Sequence, residues 1–387
     1  MTEPRTAIHF ARAPKRAMLL ATFAVVVGGA LPATGMQAMA AEKSVEQGVD
    51  DILRAYAGDV PSASVLVLRD GKPVVRKSYG LADLEQHVAA TPSTNYRLAS
   101  VTKQFTAAAI LLLMQDGKLV LDDRVRKWLP SLPDTDDAIT IRHLLTHTGG
   151  LIDYEDIMPA DQAWQLRDVD VLHLLEKERK LYFAPGSAYR YSNGGYSLLA
   201  LIVEKASGST FQGFLEQRIF GPLGMHDTLA YVWEGPPVPN RALGYTYAEG
   251  KWRRLDQSST SAVLGDGGVY SSIDDLAKWD AALYDDRLLS AESRKLAFTP
   301  WTKTDDPDVR YGFGWRITGE TLWHSGETTS FRNVIVRWPQ RHVTVIVLTN
   351  RDDPEPYRMA LAIGRLLEPE ENAATAPASR LKPLRSR

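Results

Sequence analysis

The sequence predicts an α+β fold: one antiparallel sheet assembled from both ends of the chain, terminal helices flanking it, and a helical lobe inserted in the middle. Three observations carry this expectation. β-rich runs occur within residues 61–80 and again within 311–350; residues 100–299 read mainly as helices and loops; amphipathic segments stand outside the strands at both ends. Such a layout puts a binding groove between the sheet part (about 45–99 and 300–367) and the helical part (about 100–299).

In chain order, Val45 to Tyr56 has helical apolar spacing, and "PSASVLVLRDGKPVVRKSYG" then gives two β-rich runs around Asp70-Gly71, a hairpin signal. "YGFGWRI", "TLWHSG", "RNVIVRWP" and "VTVIVLTN" supply the later strands, and "PYRMALAIGRLL" a closing helix. "GYTYAEGKWRRL" (244–255) reads as an added hairpin near the groove. The nine tryptophans are expected mostly in core and sheet packing.

The ends differ from the body. Residues 1–40 combine basic Arg5, Arg12, Lys15 and Arg16 with an apolar stretch and small residues at Ala38 and Ala40, the pattern of an export signal cleaved after Ala40 or Ala41. The alternative is a retained membrane anchor, against which Gly28, Gly29 and Pro32 argue. The expected location is periplasmic or secreted, without stable membrane insertion after cleavage. Residues 368–387 lack apolar periodicity and read as a disordered tail.

Of 387 residues, 44% are hydrophobic and 24% charged, with formal net charge −2 and no basic cluster interleaved with aromatics in the body of the chain. A nucleic-acid partner is therefore not expected, and a small-molecule or peptide substrate is. Cysteine is absent, which excludes disulfides, a thiol nucleophile and a thiolate metal site. His143 and His147 have the i, i+4 spacing of a helical zinc pair but no adjacent Glu and no evident third ligand, so no metal or cofactor is expected.

Chemistry concentrates in three places. In "LASVTKQFTAAAILLLMQDG" (98–117) an apolar helix opens with Ser100 and Lys103, three residues apart and hence on one face. A serine at a helix start can attack a carbonyl while its own N–H helps hold the oxyanion. Alone the spacing is weak, since Ser379 and Lys382 repeat it in the tail. Further along, "YRYSNGGYSLLALIVEKASG" (189–208) holds Tyr191 and Asn193, the chain's one Y-x-N, just before another apolar helix. A tyrosine beside a lysine can serve as a proton acceptor. Finally, the β-run "TLWHSGETTSF" (321–331) contains His324-Ser325-Gly326.

Ser100-x-x-Lys103, Tyr191-x-Asn193 and His324-Ser325-Gly326, in this order, resemble the three motifs of the penicillin-recognising serine hydrolases, in the branch of class C β-lactamases, D-alanyl-D-alanine carboxypeptidases, D-aminopeptidases and related esterases. "ITIRHLLTHTGGL" and "GDGGVYSSIDDLAKW" resemble further stretches of that branch, and the likeness covers roughly residues 45–365. It implies a β-lactamase/transpeptidase-like fold and an acyl-enzyme on Ser100, with Lys103 and Tyr191 as a coupled proton-transfer pair. Asn193 is implied to bond Lys103 and substrate, the Glu327 N–H to be the second oxyanion donor, and His324, Ser325, Gly326 and Glu327 to form a substrate-binding wall. His147-Thr148-Gly149 is a decoy for the last motif, lying at a helix end, and its role is expected to be structural.

The sequence departs from the β-lactamase pattern where His324 replaces Lys and Glu327 follows, and Arg332 is the residue that could compensate. Both changes weaken attraction for an anionic ligand. The expectation is thus an esterase or D-amino-acid/D-alanyl peptidase ahead of a class C-like β-lactamase. A non-catalytic penicillin-binding sensor is the alternative of another class.

Overall fold

Val65 and Val67 alternate with Leu66 and Leu68 along one extended run, and all four are buried, so this strand is covered on both faces. The computed structural model, which describes residues 33–368, places it inside an eight-stranded antiparallel sheet. Helix α1 (Ala33–Ile52) precedes strands β1 (Ala63–Arg69) and β2 (Lys72–Tyr79), joined at Asp70 (φ 52°) and Gly71 (φ 72°), where the hairpin signal stood. A short strand β3 (Tyr96–Arg97) leads into helix α2 (Lys103–Gln115). Helix α3 (Asn193–Ser207), strand β4 (Val269–Ser271) and helix α4 (Ile273–Ala282) follow. The chain then returns to the sheet through β5 (Thr302–Lys303), β6 (Arg310–Tyr311), β7 (Arg316–Thr318), β8 (Thr321–Thr328), β9 (Phe331–Trp338) and β10 (Val343–Thr349), and ends in helix α5 (Pro356–Arg365).

The strand order is β5-β6-β7-β8-β9-β10-β1-β2, so the first and last strands of the chain meet side by side, with Val65 opposite Val347. On one face Val65, Val67, Val334, Val336, Val345 and Val347 pack with Val45 and Val49 of α1 and Ala360 and Ile363 of α5. On the other, Leu66, Leu68, Ile335, Ile346 and Leu348 join the larger core around α2 and α3. Arg337 of β9, 1% exposed, bonds Asp280 of α4 at 2.5 Å, and Thr344 donates to the same carboxylate at 2.8 Å. The hairpin expected in 244–255 forms from Tyr245–Ala248 and Lys251–Arg254.

The run "YGFGWRI" is not one strand. It breaks at Gly312 and Gly314, because a Cβ at Gly314 (φ +74°) would lie 2.5 Å from the Lys103 carbonyl oxygen and one at Gly312 2.2 Å from that of Ala297. The turn between β6 and β7 is thus shaped by its approach to α2. The expected export signal lies outside the described residues except for 33–40, which begin α1, and the expected tail lies outside them except for Glu368. Among the described residues no helix is long and apolar enough to cross a membrane.

Candidate active site

Ser100 sits one turn earlier than the apolar pattern suggests. Residues Ala99–Thr102 form a 3-10 turn and the α-helix begins at Lys103, with Ala99 at φ 50°, a conformation uncommon outside glycine. β8 approaches this turn so closely that a Cβ on Gly326 would lie 1.9 Å from the Leu98 carbonyl oxygen and 3.2 Å from the Ser100 nitrogen. Glycine at this point of the His-Ser-Gly run is a steric requirement.

Lys103 is fully buried, and its Nζ donates to Asn193 Oδ1 at 2.8 Å and to the Asp266 carbonyl oxygen at 2.9 Å, with Ser100 Oγ 3.1 Å away. Both of the first two partners are acceptors only, so two amine hydrogens are committed to them. The remaining position of the nitrogen, hydrogen or lone pair, faces Ser100. Asn193 is the first residue of α3, whose N-cap Ser192 accepts from Gly195 N at 3.0 Å. Its orientation is locked: Nδ2 donates to Glu155 Oε1 at 3.2 Å and its backbone N–H to Asp153 Oδ2 at 2.7 Å.

Tyr191 is packed from several sides. The His147 ring lies 4.3 Å from its ring, Lys103 Nζ 4.8 Å and the Arg316 guanidinium 5.5 Å, while its hydroxyl is buried without a hydrogen-bond partner among the described residues. His147 accepts from the Ser192 N–H through Nδ1 at 3.1 Å, and its carbonyl accepts from Arg190 N at 3.0 Å. Burial first, then the charge of Lys103, pushes this imidazole well below the ordinary histidine range. It is a neutral ring packed against Tyr191 and bonded to the backbone of residues 190–192.

The wall expected from 324–327 needs correction at His324. That side chain is 1% exposed and turned inward: Nδ1 lies 2.6 Å from the Ser325 carbonyl oxygen and must donate to it, so Nε2 accepts from the Tyr311 hydroxyl at 2.9 Å. Burial, then Arg316 and Lys103, holds the ring neutral, well below the usual range. By strand alternation His324 and Gly326 share the face toward the Ser100 turn, which is why the former is covered. Glu327 is exposed, 3.8 Å from Arg332, whose guanidinium also donates to the Phe331 carbonyl at 3.0 Å. Arg332 thus stands beside an acidic side chain at the rim. The edge of β8 is open here: pairing with β7 ends at Trp323, whereas pairing with β9 continues to Thr328.

A family model for beta-lactamase matches residues 42–368. The chain belongs to the beta-lactamase family. Penicillin-binding protein 4* of Bacillus subtilis (strain 168) is 33% identical over 321 residues, 78% of this chain and 70% of that protein. A D-aminopeptidase of Gluconobacter oxydans (strain 621H) is 28% identical over 325 residues, 81% of this chain and 61% of that one. The crystal structure of a penicillin-binding protein from Bacillus halodurans has a TM-score of 0.71 at 29% identity, covering 82% of this chain and 97% of that one. The fold is β-lactamase/transpeptidase-like, and the chain is a serine hydrolase of this family.

In this beta-lactamase-family hydrolase a solvent-open cleft of about 300 Å³ adjoins Ser100, lined also by Arg97, Glu155, Asn193, Thr260 and Glu327. The motifs did not reveal Arg97, Glu155, Asp266, Tyr311 or Arg316. Asp266, whose carbonyl holds Lys103, is buried, and burial pushes its carboxyl up to about 8 against the opposing charges of Lys103 and Arg97. Glycines on both sides of it in "GDGG" were the available signal: a Cβ on Gly265 would lie 2.2 Å from the Tyr196 carbonyl oxygen. Among the described residues no cluster of His, Asp or Glu is arranged to hold a metal.

Proposed function

We propose that this hydrolase cleaves an ester or amide through an acyl-enzyme on Ser100, with esterase or D-amino-acid/D-alanyl peptidase activity ahead of β-lactamase activity. The observation that carries this reading is the Lys103 nitrogen, with two positions committed to acceptors and the third directed at Ser100 Oγ. In the first step the Ser100 O–H breaks, the proton passes to the Lys103 and Tyr191 pair, and Oγ bonds the acyl carbon. The bond to the leaving alcohol or amine then breaks as that group takes the proton, for which the unpartnered Tyr191 hydroxyl is free. Water repeats the sequence in reverse order and frees the acid. The N–H groups of Ser100 and Glu327 hold the oxyanion, a role whose loss typically costs about 100- to 1,000-fold in turnover.

The substrate ranking rests on charge. His324 is buried and neutral and Arg332 stands beside the exposed carboxylate of Glu327, so this wall offers a β-lactam carboxylate less positive charge than a lysine at position 324 would. A D-aminopeptidase among the relatives favours the same direction. Purified protein assayed on p-nitrophenyl esters, D-alanyl peptides, D-amino-acid amides and a chromogenic cephalosporin tests it. Turnover of an ester or D-amino-acid substrate with slow cephalosporin hydrolysis is expected; efficient cephalosporin turnover overturns the ranking. Export to the periplasm or medium is part of the same reading, and N-terminal sequencing of the exported protein should begin at Ala41 or Glu42.

A further inference from the structure

The Asp266 carbonyl that accepts from Lys103 belongs to a single helical turn, Leu264–Gly267. So short a turn leaves its first N–H groups without partners of its own, and the residue before it, Val263, has an apolar side chain that cannot cap them. Asp168 takes them instead: Oδ2 accepts from the Leu264 N–H and Oδ1 from the Gly265 N–H, both at 3.0 Å. Asp168 begins a helix of its own, Asp168–Leu175, yet its two carboxylate oxygens serve residues 96 and 97 positions further along the chain.

The rest of the turn is held from other sides. The Thr106 hydroxyl of α2 donates to the Gly265 carbonyl at 2.7 Å, and the Tyr154 hydroxyl donates to the Asp266 carboxyl at 3.2 Å. Asp168 is 6% exposed; burial pushes its carboxyl up to about 6 against the two N–H bonds, so it is mainly ionised at neutral pH and both bonds are charge-assisted. A path of hydrogen bonds therefore runs from Asp168 to the turn and from the turn to the Lys103 nitrogen, which stands 3.1 Å from Ser100 Oγ. Asp168 itself is not among the residues lining the cleft. A slip of the turn would re-aim the Asp266 carbonyl and with it the amine, and misplacing a reacting group by about 1 Å can cost about 100-fold in rate.

We propose that Asp168 is a positioning residue for acyl transfer, capping the 264–267 turn so that the Asp266 carbonyl holds Lys103 toward Ser100. The proposal rests on the reading of Ser100 and Lys103 as the acyl-transfer pair. A cap of merely local importance would set stability and leave the rate of attack by Ser100 unchanged. A positioning residue sets that rate and leaves binding in the cleft alone, because it touches nothing that binds there.

Labelling of Ser100 in the full chain by a fluorophosphonate, followed over a range of probe concentrations, separates attack from binding. In Asp168→Asn the amide keeps the shape but turns an NH2 group toward one of the two backbone donors. Its maximal labelling rate is expected to fall about 10- to 100-fold, with the half-saturating concentration within about twofold of wild type and the circular dichroism unchanged. Leu264→Pro removes one of the two N–H groups at the first position of a helical turn, where proline is tolerated, and leaves the carboxylate in place. Its maximal rate should fall in the same sense, so the test does not depend on Asp168→Asn folding. A wild-type maximal rate in either folded variant overturns the proposal, as does a change confined to the half-saturating concentration. A wild type that gives no adduct on Ser100 contradicts the acyl-enzyme reading itself, a result distinct from both.

Discussion

At the scale of single residues, the site is organised by what each group can no longer do. Two hydrogens of Lys103 are fixed by acceptors and Asn193 is oriented by Glu155, which leaves one direction for a proton to move. Lys103→Met should therefore lower kcat by about 100- to 10,000-fold with the fold retained, measured by ester hydrolysis and circular dichroism. Gly326→Ala should inactivate and destabilise together, since its Cβ would meet the Leu98 carbonyl at 1.9 Å; overpacking of this kind costs about 1–3 kcal/mol or more. A fully active Gly326→Ala would show that the close approach is dispensable. Asp266 gives a pH signature. Its carboxyl is pushed from the ordinary value near 3.8 up to about 8, so its contribution to stability is full below the lower value and is lost as pH rises through the upper one. The stability of Asp266→Asn relative to wild type should accordingly grow with pH by up to about 1.4 kcal/mol per unit and level off above about pH 8, read from denaturant titrations across that range. His147 and His324 have the opposite sign: both are held neutral, so their contribution is full above about 6.5 and lost as pH falls. Linear motifs exposed Ser100, Lys103, Tyr191, Asn193 and Gly326, because these occupy short spacings within single segments. Glu155 and Asp266 reach the cleft from segments separate from the motifs, and no spacing connects them, whereas Arg97 stands just before the first motif and carries no signal of its own. His324 was visible, but strand alternation gives only its face; the covering by Tyr311 comes from a turn the sequence did not resolve.

At the scale of elements, apolar periodicity located most strands and the terminal helices, and it failed where a backbone must pass close to another. The pattern of α2 runs back through Ser100, yet the helix starts at Lys103 because Ala99 adopts a positive φ where β8 presses on the turn. The run 311–317 reads as one strand, but Gly312 and Gly314 divide it against Ala297 and Lys103. Both departures border the site, where local preference yields to the geometry of the groove. A buried polar tie between the layers is the pair Arg337 and Asp280, which joins β9 to α4 at 2.5 Å. Removing one partner of such a pair strands the other, so Arg337→Met should lower the unfolding free energy by about 3–5 kcal/mol in urea titrations. A loss below about 1 kcal/mol would mean that Thr344 alone satisfies Asp280.

At the scale of the whole molecule, β1 and β2 join β10 across more than 250 intervening residues, so the groove exists only when both ends of the chain are in place. That assembly was legible because the apolar runs at the two ends share one character and the middle does not. The location of the cleft followed from it, while the charges lining the cleft did not, since they depend on which loops fold over Ser100. The functional conclusion depends on one bond, between Ser100 Oγ and an acyl or phosphonyl group. Peptide mapping by mass spectrometry after reaction with a fluorophosphonate tests it directly, alongside p-nitrophenyl ester hydrolysis by Ser100→Ala. A single adduct on Ser100, with turnover abolished in the variant, is the predicted result; an adduct on another serine, or full activity in Ser100→Ala, would contradict it.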